Sequence, residues 1–224
     1  EAASELTMRL EDAVMDLEDA DLALQEAVFT SPLMDVWFQD TERGWATGAF
    51  GTLLATEDGG RTWRDDSKRL QNPDEFHLNA VTGDGDGRVF IAGEGGIMYR
   101  SKDSGLTWES LPPFYAGSWF GLLYTPDPEV LLVFGLRGNL YRSTDFGDNW
   151  EVITNDSQAT IAGGSAASSG KIALVGAVGT LLQSEDGGTS FARHEVADRL
   201  NLSSALHHGW RLIIVGQGGA KVYE

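Results

Sequence analysis

The sequence predicts an all-β fold, a β-propeller of five four-stranded blades closed by an N-terminal strand, with a short acidic helix ahead of it. Three observations predict it. An eight-residue motif recurs four times, as "TEDGGRTW" at Thr56–Trp63, "SKDSGLTW" at Ser101–Trp108, "STDFGDNW" at Ser143–Trp150 and "SEDGGTSF" at Ser184–Phe191. Each copy follows a Gly-x-x-Gly turn, at Gly48–Thr56, Gly93–Ser101, Gly135–Ser143 and Gly176–Ser184, and a fifth such turn occurs at Gly216–Glu224. Short apolar runs precede every turn. Four short strands repeated at intervals of about 40 residues are the signature of propeller blades.

Each unit reads as strand, turn, strand, Gly-x-x-Gly turn, strand, Asp-containing turn, strand. The first strands are "LMDVWF", "LNAVTG", "SWFGLLY", "ATIAGG" and "LSSALH". The second are "RGWAT", "GRVFIA", "EVLLVF", "KIALV" and "WRLIIV". Glycines at both ends of the following turn permit the positive φ that tight hairpins need. The third strands carry bulky and β-branched residues suited to packing between blades. Five third strands face only four Asp-containing motifs, so the fifth blade lacks its outer strand. An open sheet edge invites pairing. The spacing from each motif aromatic to the next blade places the missing strand at Leu24–Phe29. The propeller domain therefore spans 24–224. A longer propeller, of which these blades are a part, is the rival reading.

Residues 1–23 form a separate acidic extension. Leu6, Leu10, Ala13, Leu17 and Ala20 recur at helical spacing, and Ser4 is a good N-cap. The stripe is narrow and rich in Ala, so the helix binds weakly by itself.

The recurring motif has a structural task at every position. Asp58, Asp103, Asp145 and Asp186 can accept backbone N–H groups of their own turns. The glycine two residues on relieves a left-handed position. Trp63, Trp108, Trp150 and Phe191 open the outer strand and cover the turn with apolar surface. Four copies dispersed around a ring cannot converge on one catalytic centre.

The motif S/T-x-D-x-G-x-T-W resembles the Asp-box, or BNR repeat. The longer stretch "RGWATGAFGTLLATEDGGRTW" (Arg43–Trp63) is similar to the blades of the photosystem II stability/assembly factor family. The resemblance runs from about Leu24 to Glu224 and is weakest in the fourth box, where "TSF" stands. It implies a non-enzymatic propeller scaffold that helps assemble membrane-protein complexes. It also implies an exported, periplasmic-type location, with a leader removed upstream. Photosynthetic members of the family have more blades and a basic patch for their client. This chain shows five blades and a net charge of −18, so the fold and scaffold role carry over, and the client does not.

That charge disfavours nucleic acid, since an acidic surface repels phosphate backbones. Nine acids against one arginine lie in residues 1–28 alone. No apolar run is long enough for a membrane helix. With no cysteine, disulfides and thiolate metal sites are excluded. His207 and His208 would point to opposite faces of a strand and chelate poorly. "GDGDGR" (Gly83–Arg88) lacks the later ligands of a calcium loop. Tyr99, Tyr141, Arg100 and Arg142 are repeat positions and make no sialidase site. No cofactor and no metal are expected, and the protein is not expected to be an enzyme. A carbohydrate-active propeller, hydrolytic or lectin-like, is the alternative.

Function is then expected on the loops that do not repeat. By analogy with other propellers, binding occurs on the face formed by the Gly-x-x-Gly turns and by the loops entering the first strands. Phe50, Glu94, Arg137 and Gln217 occupy the turns, and His77, Tyr115 and Trp119 lie beside the first strands. Large aromatic and arginine side chains are favoured interface anchors. These seven residues are the expected contacts for a protein partner, such as a membrane protein or transporter.

Overall fold

A computed structural model describes Val14, Met15 and residues 31–223. Among the described residues, alternation of apolar residues and punctuation by glycine produce nineteen short strands. The first sheet holds β1 (Leu33–Phe38), β2 (Gly44–Gly48), β3 (Leu53–Thr56) and β4 (Arg64–Asp65). The second holds β5 (Leu78–Gly83), β6 (Val89–Gly93), β7 (Met98–Ser101) and β8 (Glu109–Ser110). The third holds β9 (Trp119–Tyr124), β10 (Leu131–Gly135), β11 (Leu140–Ser143) and β12 (Glu151–Val152). The fourth holds β13 (Ile161–Ala166), β14 (Ile172–Gly176), β15 (Thr180–Ser184) and β16 (Ala192–Glu195). The fifth holds β17 (Leu202–His208), β18 (Arg211–Gly216) and β19 (Gly219–Tyr223). Within each sheet the strands run antiparallel in sequence order. No helix among the described residues is long and apolar enough to cross a membrane.

The sheets pack face to face as blades. β1 lies against β5, β5 against β9, β9 against β13, and β13 against β17. The second strands are the most deeply buried, because both of their faces meet a neighbour; β6, β10 and β14 are buried throughout. This explains why they read as continuous apolar runs. Each interface has its own apolar cluster. Trp45, Leu53 and Ala55 meet Val81, Ile91 and Tyr99. Phe90, Ala92 and Met98 meet Trp119, Leu131 and Val133. Arg100 locks the second interface: its buried guanidinium pairs with Glu109 at 2.8 Å and Asp148 at 2.7 Å, and donates to the Phe146 carbonyl at 2.6 Å.

The four Asp-containing turns share one bonding scheme, as the sequence predicts. The hydroxyls of Thr56, Ser101, Ser143 and Ser184 each accept the N–H of the glycine four residues on, at 2.9 Å in every case. Each hydroxyl donates to its Asp, at 2.7–2.9 Å. The Asp then accepts the backbone N–H four residues on, from Thr62, Thr107, Asn149 and Ser190. Trp108, Trp150 and Phe191 cover the preceding interface.

Hydrogen bonds from the Thr62 side chain and backbone hold the Asp58 carboxyl down at about 2, and those from Ser190 do the same for Asp186. A carboxyl depressed in the folded state stabilises the fold above its unfolded value of 3.8. That contribution is lost as pH falls from 3.8 through about 2. The melting temperature should therefore fall across this acid window. The Asp58→Asn and Asp186→Asn double variant should show a shallower fall; an unchanged acid slope would contradict the assignment.

One expectation is corrected. The fifth Gly-x-x-Gly turn differs from the other four. Ala49–Gly51, Glu94–Gly96, Leu136–Gly138 and Ala177–Gly179 are single 3-10 turns. At the fifth, Gly216 pairs directly with Gly219 and leaves a two-residue hairpin at Gln217–Gly218. Gly219 closes this hairpin at φ +82°. No packing comparable to the four interfaces joins β17 to β1 among the described residues. The strand expected at Leu24–Phe29 and most of the helix expected at residues 4–20 lie outside the described residues.

Candidate partner-binding face

One face of the blades gathers the 3-10 turns and the segments that lead into the first strands. The central residue of each turn is left-handed: Phe50 at φ 55°, Gly95 at 64°, Arg137 at 57° and Val178 at 57°. Only glycine adopts this conformation freely, and a β-branched residue such as Val178 is an outlier there. Three of four blades thus hold a strained side chain at the same place. Strain of this kind costs on the order of 1–3 kcal/mol per residue and clusters at ligand-contacting positions. The conformation turns the side chain out of the loop. Phe50 is 62% exposed, and Val178 and Arg137 are exposed as well.

Two of the turns are supported from the next blade. The Phe50 N–H donates to His77 Nδ1 at 2.9 Å, and the Val178 N–H donates to Asn201 Oδ1 at 3.0 Å. In the third blade the corresponding support is internal: the Leu136 N–H donates at 3.2 Å to the carbonyl of Ser118, just ahead of β9 of the same blade. His77 is thereby the Nδ1 acceptor, with its ring edge-on to Phe50 at 5.1 Å. Its Nε2 stands 4.0 Å from the Glu94 carboxylate. Glu94 also accepts the His77 N–H, at 3.3 Å.

Beside Phe50 opens a cleft of about 520 Å³, bordered by Gly51, Lys68, Leu70, Asn72 and Glu75. Its rim is the loop between the first two blades. Asn72 ties this loop down by donating to and accepting from Phe76, at 2.9 and 3.1 Å. Sequence reasoning passed over these residues because they do not repeat. A signal was present in the spacing. Trp63 to Leu78 spans 15 residues, whereas Trp108 to Trp119, Trp150 to Ile161 and Phe191 to Leu202 span 11.

The expected contact residues separate into two groups. Phe50, His77, Glu94 and Arg137 are brought to this face with their side chains at least partly accessible. Gln217 is exposed near Asn201, whose carbonyl accepts the Gln217 N–H at 2.9 Å. Trp119 is not available as an anchor, which corrects the expectation. Its ring is 0% exposed and fills the interface between the second and third blades. Phe114, Tyr115 and Tyr141 surround it at 4.7–5.6 Å between ring centres. Tyr115 is half-buried and braces the third turn through Asn139, which donates to its hydroxyl at 3.1 Å.

The chemistry of the remaining candidates is local. Arg100 is committed to the blade interface. Asp84 of "GDGDGR" accepts the N–H groups of Asp86 and Arg88 at 2.8 and 3.1 Å, as a hairpin residue does. His207 Nδ1 contacts the Ser165 hydroxyl at 2.9 Å, while His208 points to the opposite, exposed side. No cluster of three or more His, Cys, Asp or Glu suited to a metal occurs among the described residues.

Comparison with known proteins places these features in context. The family model described as "Photosynthesis system II assembly factor YCF48" matches residues 16–173. The photosystem II assembly lipoprotein Ycf48 of Synechococcus sp. (strain CC9902) is 26% identical over 180 residues, covering 76% of this chain and 52% of that protein. The chloroplastic photosystem II stability/assembly factor HCF136 of Arabidopsis thaliana is 28% identical over 130 residues, covering 55% of this chain and 32% of that protein. This chain spans about half the length, or less, of the curated relatives it matches. Among solved structures, "YCF48 bound to D1 peptide" superimposes with a TM-score of 0.72 at 25% identity, covering 88% of this chain and 64% of the other. A catalytically inactive virginiamycin B lyase from Staphylococcus aureus superimposes at 0.73 with 12% identity, covering 87% of this chain and 70% of the other. That second likeness concerns the fold alone.

Proposed function

This chain belongs to the photosystem II assembly factor YCF48 family, whose model matches residues 16–173, and from that premise we propose that it is a non-catalytic propeller scaffold. Its turn face binds a segment of a membrane-protein partner. The observation that carries the reading is the row of left-handed, outward-turned residues Phe50, Arg137 and Val178. A turn with a purely structural task is served by glycine, as at Gly95. Retaining strained large side chains instead is explained by what they contact outside the chain. His77, Glu94, Tyr115 and Gln217 extend the same surface. A solved relative bound to a D1 peptide supports a peptide ligand. Relatives named as lipoproteins support an exported location.

The blade count belongs to the same reading. Closure of five blades through Leu24–Phe29 would bury the outer faces of the first and fifth sheets. Exposure of Leu33, Val36 and Val222 on those faces supports an open arc instead.

The test uses a synthetic D1 peptide and fluorescence anisotropy on the whole chain. The Phe50→Ala and Arg137→Ala double variant should bind at least about tenfold more weakly, the size of loss expected for interface anchors. Its melting temperature should change little, since alanine keeps the same left-handed backbone and neither exposed side chain belongs to the core. Undiminished binding by the variant would remove this face as the site. No binding by the wild type would remove the D1 peptide as its ligand.

A further inference from the structure

Two arginines occupy the same place in successive blades and differ in what they meet. Arg100 in β7 and Arg142 in β11 each precede the serine that opens an Asp-containing turn. Each lies opposite a glutamate of its outer strand, Arg100 across from Glu109 and Arg142 across from Glu151. Each shares a strand face with the residue two before it. Met98 fills the interface of the second and third blades, and Leu140 that of the third and fourth. Both arginines thus face the following blade.

Arg100 finds three bonding partners there. It pairs with the carboxylates of Glu109 and Asp148 and donates to the Phe146 carbonyl. The Phe146 ring also covers its guanidinium, centred 5.3 Å away. Arg142 finds no such set among the described residues. Its Nε is buried and has no hydrogen-bond partner, and no carboxylate, that of Glu151 included, forms an ion pair with it. The residues that would serve it differ. Thr189 stands where the preceding turn has Asp148, and its hydroxyl folds back to donate to the Asp186 carbonyl at 3.1 Å. Gly187 stands where that turn has Phe146, and nothing lies within 4 Å of the position its side chain would take. Glu185 of the same turn is taken by Lys171, at 2.8 Å.

We propose that the rim between the third and fourth blades is a carboxylate-binding niche built on Arg142. A carboxylate of another molecule takes the place there that Asp148 takes beside Arg100. A partly buried cation without a counter-charge is costly, so a ligand that pairs with it gains more than at an exposed arginine. The planar fork of the guanidinium accommodates a carboxylate through two parallel hydrogen bonds. The open space beside Gly187 is the way in. The niche lies at the opposite end of β11 from the Arg137 turn, so it is independent of the peptide-binding reading of the turn face.

An NMR titration of the whole chain with sodium acetate tests the proposal. The side-chain N–H signals of Arg142 should shift and saturate, while those of Arg100, already paired, stay in place. Sodium chloride at equal ionic strength and neutral acetamide should move neither. Thr189→Asp should supply the missing partner from within. It should raise the melting temperature by about 2–4 °C and weaken acetate binding by about tenfold or more. Glu151→Gln should leave the Arg142 signals in place and tighten acetate binding, since a like charge is removed. Acetyl-aspartyl-amide separates the sources of the ligand. Tighter binding than acetate assigns the niche to an acidic side chain of a polypeptide, and equal binding assigns it to a free acid. Acetate that leaves Arg142 unmoved, or moves both arginines alike, overturns the proposal. So does a shift of the Arg142 signals by Glu151→Gln alone, which would make Glu151 its partner.

Discussion

Trp119→Ala should lower the melting temperature by roughly 10 °C and leave peptide binding by the folded fraction intact. Trp119 is the largest fully buried side chain in the second interface and is enclosed by aromatic rings. Truncating a buried Trp costs about 3–5 kcal/mol, from lost transfer energy and the cavity that remains. For a chain of this size each kcal/mol moves the midpoint by about 2–4 °C. The loss should not be local. Phe114 and Tyr115 lean on the same ring, so the loop entering the third blade would lose its backing. Trp119→Phe should recover part of the stability, because it keeps an aromatic plug of smaller volume. Differential scanning calorimetry reads the effect. A variant that melts like the wild type yet loses partner binding would reverse the assignment and return Trp119 to the surface.

Gly96→Ala is the second large effect. A methyl group on Gly96 would stand 1.8 Å from the Tyr115 carbonyl oxygen, and φ there is +82°. The obstructing atom is backbone, so the neighbouring loop must move as a whole. We expect a loss of about 3 kcal/mol, combining left-handed strain of about 1–2 kcal/mol with displacement of the loop. Gly187→Ala provides the control. Gly187 is also left-handed, at +68°, but nothing lies within 4 Å of the added methyl. Strain alone should then cost it about 1 kcal/mol. Equal losses in the two variants, measured by urea denaturation, would show that loop contact contributes nothing at Gly96. Because Tyr115 braces the third turn, Gly96→Ala should also weaken peptide binding, whereas Gly187→Ala should not.

Much of the architecture was readable from the chain because it depends on local rules applied repeatedly. The four Asp-containing turns form from contacts within five residues, so Ser101, Asp103 and Gly105 announce their geometry in the sequence. The 3-10 turns obey the same logic, and their central residues stand where the glycine spacing puts them. The candidate face was legible in part for this reason. Phe50 and Arg137 are large residues at positions where small ones suffice. The cleft beside Phe50 was not legible, because its loop belongs to no repeat and only its extra length marked it.

Other outcomes depended on neighbours distant in sequence. Trp119 and Phe50 look alike as anchors in the sequence, both large and both near loops. Packing separated them: Trp119 faces Phe90, Met98 and the rings of its own blade, while Phe50 is turned outward by a left-handed backbone. The fifth Gly-x-x-Gly segment has the same glycines as the second, Gly93–Gly96, but folds as a two-residue hairpin, so the local spelling does not decide between the two turns. Strand identity, blade boundaries and turn chemistry were thus determined by the sequence itself, because hydrogen bonds and side-chain alternation act over a few residues. Which large side chains are buried was decided by the tertiary structure, because burial follows from the distance and angle at which whole sheets pack.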